Sequence, residues 1–166
     1  MTTKTLFVNY ATYNLWANST LVDWLRSKPL ELMEREIPSS FPTIKQTLLH
    51  MWGAEDIWLQ RLKGISVTQF LSERFQGSTT DVFDGLIDVS TEFLAYVEAL
   101  SDEDFEKQCP FRLLNGTEDS KPRIYMIHHC LNHATYHRGQ IVTMARNFGL
   151  SDPPSTDYIR YLRMHL

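Results

Sequence analysis

A chain of 166 residues, 43% apolar and 22% charged, holds enough apolar surface to order one core, and its length suits a single domain spanning residues 1–166. Sixteen Lys and Arg against twenty Asp and Glu leave a net charge of −4 with no basic block, which argues against a nucleic-acid partner. No apolar run nears membrane-spanning length, the opening MTTKTLFVNYATYNLW is too polar for a signal peptide, and Cys109 and Cys130 are too few for a disulfide framework, so a cytoplasmic protein with reduced thiols and no membrane partner is expected.

From Thr5 to Ser27 the residues Leu6, Tyr10, Tyr13, Ala17, Leu21 and Trp24 recur at three- and four-residue steps, which predicts a helix that buries this face and ends at Pro29. Thr43 and Gln46 form a capping-box pattern at the start of a second helix, which runs through LLHMWGAEDIWLQRLK to Gly64. A polar stretch follows. Thr80 and Asp81 then open a third helix with Phe83, Ile87, Phe93 or Leu94, Val97 and Leu100 on its buried side, and Ser101 restarts a short turn.

The segment KQCPFRLLNGTEDSKPR carries Asn115-Gly116 between mixed runs and is read as a tight reversal, with a small hairpin as one form of it. The fourth and longest helix starts near Pro122 and continues through Phe148 to Gly149. Pro153 and Pro154 break the chain, and Thr156-Asp157 caps a last short helix over YIRYLRMH. The fold class expected from these elements is all-α.

At about 100° per residue, Met126, Cys130, Ala134, Ile141, Met144 and Phe148 share one arc of the fourth helix with His133 and His137. These two histidines, one turn apart, are spaced to reach a single ion, and His50 on the second helix projects to the packed side beside Met51, Ala54, Ile57 and Trp58. Three imidazoles and a water would make an open mononuclear site, whereas structural zinc usually closes all four positions with protein ligands. An inward histidine is also often a core residue bonded to a carbonyl, and spacing alone leaves both readings open.

His129, one turn earlier, and Gln140 are candidates to hydrogen-bond a ligating imidazole or touch substrate, while His128 and His165 are read as solvent-facing. Arg138 falls at the other margin of the arc, where a structural ion pair is as good a role. Glu55 and Asp56 project away from His50 and are expected to be solvated or to pair helices. The segment His-Ala-Thr-Tyr-His lacks the Glu of a zinc protease helix, and the chain has no Glu-x-x-His unit of a di-iron bundle. Neither a general base nor a clamp for a substrate carboxylate is legible.

YNLWAN at 13–18, LLHMWGAEDIW at 48–58 and NHATYHRGQI at 132–141, with TDYIRYLR near the end, resemble the DinB family, including its YfiT-like members, over almost the whole chain. The most specific piece is His133-x-x-x-His137-Arg138-Gly139-Gln140. The resemblance implies a four-helix bundle of up-down-down-up topology with a short C-terminal helix, assembled as a homodimer. It also implies a divalent transition metal, zinc or nickel, held by residues matching His50, His133 and His137. Family members of known chemistry use low-molecular-weight thiols such as bacillithiol, mycothiol or glutathione. The expected function is therefore a metal-dependent S-transferase that activates such a thiol against a small-molecule substrate. The alternatives are a metal-dependent hydrolase using metal-bound hydroxide and a non-enzymatic metal-binding stress-response protein.

Overall fold

The computed structural model of the protein describes residues 1–165. Helix α1 spans Thr3–Arg26, with the Thr2 hydroxyl accepting from the Thr5 amide at its N-terminus. Its buried residues are Phe7, Ala11, Tyr13, Asn14, Ala17, Asn18, Leu21, Val22 and Leu25; of the expected face Tyr13, Ala17 and Leu21 are buried, whereas Leu6 is 45% exposed and Tyr10 and Trp24 are half-buried. The core face thus overlaps the expected one at these three residues and is turned from it at the others. Two buried asparagines interrupt the apolar pattern on the true face and shift the periodicity to its neighbour.

Helix α2, Ile44–Leu62, starts at Thr43, whose hydroxyl accepts from the Gln46 amide, and ends before Gly64 in the left-handed region at φ 77°. The polar stretch beyond contains an unexpected single turn, α3, Leu71–Arg74. It approaches closely because α2 has Gly53 there: a Cβ at that position would lie 3.2 Å from Leu71 Cβ.

Helix α4, Thr79–Ala99, starts slightly earlier than expected, with Ser78 and Asp81 forming a reciprocal capping box. At Gly85 a Cβ would fall 2.4 Å from the Trp52 indole, so the α2–α4 seam closes only around glycine. Gly85→Ala is therefore expected to cost about 1–3 kcal/mol through overpacking, read as a lower urea midpoint at unchanged m-value.

A 3-10 turn at Asp102–Phe105 leads into a hairpin of β1, Gln108–Arg112, and β2, Glu118–Pro122, paired antiparallel with Phe111 opposite Asp119. The reversal uses Gly116 at φ 86°, and Cys109 and Phe111 point to the buried side. Helix α5, Arg123–Asn147, follows β2 directly, and α6 is Tyr158–His165. Tyr161 of α6 packs with Tyr13 and Ala17, and Trp16 lies against Tyr161 at 5.4 Å between ring centroids. Trp16 is half-buried under α6, while Tyr136 is 59% exposed.

Contacts along the chain set the direction of each helix. Asn18 with Ser90 and Arg26 with Asp84 run α1 and α4 antiparallel; Trp52 at Gly85 and the Tyr96 hydroxyl donating to Leu62 O run α2 and α4 parallel. Thr47 with Met144 and His50 with His133 run α2 and α5 antiparallel. Phe7 against His128 and Asn14 bonded to Arg138 run α1 and α5 parallel. The result is an up-down-down-up bundle whose parallel α2–α4 pair needs the long crossover through α3. No helix of the described residues is long and apolar enough to cross a membrane.

A buried polar layer ties the four long helices together. Arg138 Nη1 on α5 donates to Asn14 Oδ1 and Asn18 Oδ1 on α1, both at 2.8 Å. Asn14 Nδ2 donates to Glu55 Oε1 on α2 at 3.0 Å; Asn18 Nδ2 donates to Ser90 Oγ on α4, which donates to Glu55 Oε2, each at 3.0 Å. Both arms carry donors from guanidinium to carboxylate. Glu55 and Arg138 are each 2% exposed, so of the two roles expected for Glu55 the solvated one fails and the helix-pairing one holds, and Arg138 meets its carboxylate through asparagines rather than as a direct pair. Burial pushes Glu55 up to about 7, while the Ser90 bond, the Arg138 charge and the Asn14 bond pull it down.

Candidate metal centre

Position 50 lies one turn and a half into α2, and positions 133 and 137 lie a turn apart in the middle of α5, so the antiparallel α2–α5 pair brings the three imidazoles together. His133 Nε2 is 3.1 Å from His50 Nε2 and 3.0 Å from His137 Nε2. All three ligand atoms lie within 4.8 Å of one another, in a group that contains no carboxylate or thiol.

The nitrogens fit a cation better than they fit one another. A neutral imidazole offers at Nε2 either one proton or one lone pair, so His133 Nε2 cannot give full hydrogen bonds to both neighbours. Nitrogens about 2.0–2.1 Å from a tetrahedral zinc lie about 3.3 Å apart, close to the separations found here. Burial, with the neighbouring imidazoles adding repulsion, lowers His50 and His133 to about 4, and burial also lowers His137. The three are neutral at pH 7, which is the form that coordinates a metal.

Gln140 fixes one tautomer. Its Oε1 is 2.8 Å from His137 Nδ1, and its Nε2 donates to Ser40 Oγ at 2.8 Å, so the amide presents oxygen to the ring. His137 then donates from Nδ1 and keeps its Nε2 lone pair toward the cluster. Gln140→Ala is expected to lower metal affinity about 10–100-fold with little change in fold, measured by competition with a chelating dye.

Aromatic rings wall the centre. Phe41, from the loop before α2, stacks on His50 at 4.3 Å, and Tyr136 meets His137 edge-on at 5.0 Å. His129 does not join the cluster: it is exposed, 5.8 Å from the His133 ring and 4.9 Å from the Trp58 ring. His128 is exposed beside Phe7 and Tyr10, and His165 bonds to Tyr161 O, both away from the centre. His50 and His133 are half-buried and His137 is buried, so the cluster meets solvent on the His50–His133 side. Sequence reasoning missed Phe41 and Ser40, which come from an irregular loop, and the Asn14–Asn18–Glu55–Arg138 layer, which lies one residue past His137 and five past His50. The family-like segments YNLWAN, LLHMWGAEDIW and HRGQ contain all four of these residues and are the one signal of that layer in the sequence.

The family model of the DinB family matches residues 1–165. Protein DinB of Bacillus subtilis (strain 168) is 32% identical over 162 residues, which span 92% of this chain and 91% of that protein. Among solved structures, a DinB-like protein from Bacillus cereus superposes with a TM-score of 0.70 at 21% identity, covering 90% of this chain and 95% of its own. YfiT from Bacillus subtilis, described as a probable metal-dependent hydrolase with an unusual four-helix bundle topology, gives 0.66 at 12% identity, covering 86% and 87%.

Proposed function

The chain belongs to the DinB family, and from that premise we propose that it is a metal-dependent S-transferase, with a zinc or nickel ion on His50, His133 and His137 activating a low-molecular-weight thiol against an electrophilic small molecule. The observation that carries this reading is the convergence of three neutral imidazole nitrogens, without a carboxylate, on a side that stays open to solvent. A divalent ion on three imidazoles supplies one thing when bound: it lowers the pKa of a thiol or water that joins it, so that a nucleophile exists at pH 7.

The chain's own residues supply the rest. His50 from α2 and His133 and His137 from α5 hold the donor set. Gln140 keeps the His137 proton on Nδ1, and Phe41 excludes water from the face of His50. The buried Glu55–Arg138 layer locks α2 against α5, which sets the spacing between His50 and the other two histidines.

The test is turnover of 1-chloro-2,4-dinitrobenzene by metal-loaded protein with and without added thiol, 2-mercaptoethanol and 6-mercaptohexanoate in parallel. A transferase forms the C–S bond and releases chloride and a proton only when thiol and metal are both present, and His137→Ala abolishes the rate above background. A hydrolase is the second reading, favoured by the fold shared with YfiT, and it would instead cleave 4-nitrophenyl acetate with no thiol added. Metal-dependent turnover in neither assay would leave a metal-binding protein without catalysis.

A further inference from the structure

Arg61 is the second buried arginine of the core, 6% exposed, and it is bonded quite differently from Arg138. Arg138 donates to Asn14, Asn18 and Thr135. The Arg61 guanidinium forms no hydrogen bond and no ion pair with any described residue; its Nε is enclosed without a partner, while its terminal nitrogens keep contact with solvent. Two rings hold it in place, Trp58 at 4.8 Å and Phe111 of the hairpin at 5.1 Å from their centroids. Rings take the faces of a guanidinium and leave its N–H edge free for a planar anion. Burial lowers its pKa, and no anion of the protein works against that shift.

Its position gives this edge a purpose. Arg61 lies on the same face of α2 as His50, three turns or about 16 Å further along the helix axis. The surface between them runs from His133 to the exposed His129 ring at 5.8 Å, from His129 to Trp58 at 4.9 Å, and from Trp58 to the guanidinium, with the small side chain of Ala54 beneath. One end of the strip is the candidate metal centre and the other is a cation lacking its anion.

We propose that Arg61 is a substrate-binding residue that receives the carboxylate of an elongated thiol or electrophile, whose other end lies at the three-histidine centre and whose middle crosses Trp58 and His129. The inference rests on the metal–thiol reading of that centre. It also sets a substrate class: anionic, and long enough to bridge the strip, which excludes the shortest mercapto acids.

Cobalt(II)-loaded protein titrated with thiols of graded length tests this, with the thiolate-to-cobalt charge-transfer absorption as readout. In the parent, 6-mercaptohexanoate or 8-mercaptooctanoate is expected to bind about tenfold or more tighter than the neutral 6-mercaptohexanol, and tighter than 3-mercaptopropionate. Arg61→Met should abolish the acid preference and leave 6-mercaptohexanol unchanged; Arg61→Lys, which keeps the charge without the fork, should retain part of it. No acid preference in the parent, or one that survives in Arg61→Met, overturns the clamp while the metal–thiol reading stands. Should Arg61→Met fail to fold, the parent's length and charge preference and the Lys variant decide. Absence of the absorption with every thiol sinks the metal–thiol reading instead. Hexanoate against hexanol, followed through the Arg61 Nε–H NMR signal, then tests the clamp: a shift with hexanoate alone supports it, and no shift overturns it.

Discussion

Arg138→Met is expected to destabilise the bundle by about 3–5 kcal/mol, because it leaves Glu55 as a buried carboxylate without its counter-charge. The layer is a closed circuit: two arms of donors run from one guanidinium to one carboxylate through Asn14, Asn18 and Ser90, and every arm crosses between helices. Removing the cation orphans two asparagine oxygens and strands the anion. The combined Glu55→Gln/Arg138→Met variant should lose less than the sum of its single changes, since each member is costly mainly when the other remains.

The deficit also has a pH signature. Glu55 sits at about 7 in the fold, above the ordinary 4.5 of the unfolded chain, so its contribution is greatest below 4.5 and is lost as pH rises through 7. Taking away the Arg138 charge raises the carboxyl further. The Arg138→Met penalty should therefore grow between pH 5.5 and 8.5, read from urea midpoints. A penalty under about 1 kcal/mol, or one that shrinks with pH, would show that the layer does not hold the helices.

The second large effect is metal-linked stability. An ion that binds the folded chain alone stabilises it by about 4 kcal/mol at a thousandfold excess over its dissociation constant, which at this chain length corresponds to about 2–4 °C per kcal/mol. Zinc or nickel is expected to raise the parent's melting temperature by that order and to leave His50→Ala, His133→Ala and His137→Ala unmoved. Without metal the three variants should melt at or above the parent, since each relieves the close approach of imidazole nitrogens at 3.0–3.1 Å. Equal shifts in parent and variants would point to binding elsewhere.

The parts of this molecule that follow periodic rules were legible in the sequence. The spacing of His133 and His137 needed only a helix, the small hairpin needed only Asn115-Gly116, and the long fourth helix needed only its flanking Pro122 and Gly149. What escaped obeys no period. Asn14, Asn18, Glu55 and Arg138 are polar residues in apolar positions, so a rule that buries apolar faces turns α1 toward Leu6, Tyr10 and Trp24 and leaves Glu55 undecided between solvent and a helix pair.

Tertiary contact explains the other differences. α3 exists because Gly53 leaves room for Leu71, a closeness no local pattern announces. α6 covers Trp16, which looks outward when α1 is read alone. Arg61 resembles any arginine near a helix end until Phe111 arrives from the hairpin fifty residues later and closes over it.

The most direct measurement is metal content by mass spectrometry on protein purified without an affinity tag, beside His133→Ala, the residue whose Nε2 touches both other imidazoles. About one zinc or nickel ion per chain in the parent and none in the variant is the expected result. A parent that stays metal-free after reconstitution, or a variant that keeps its ion, would contradict the three-histidine centre.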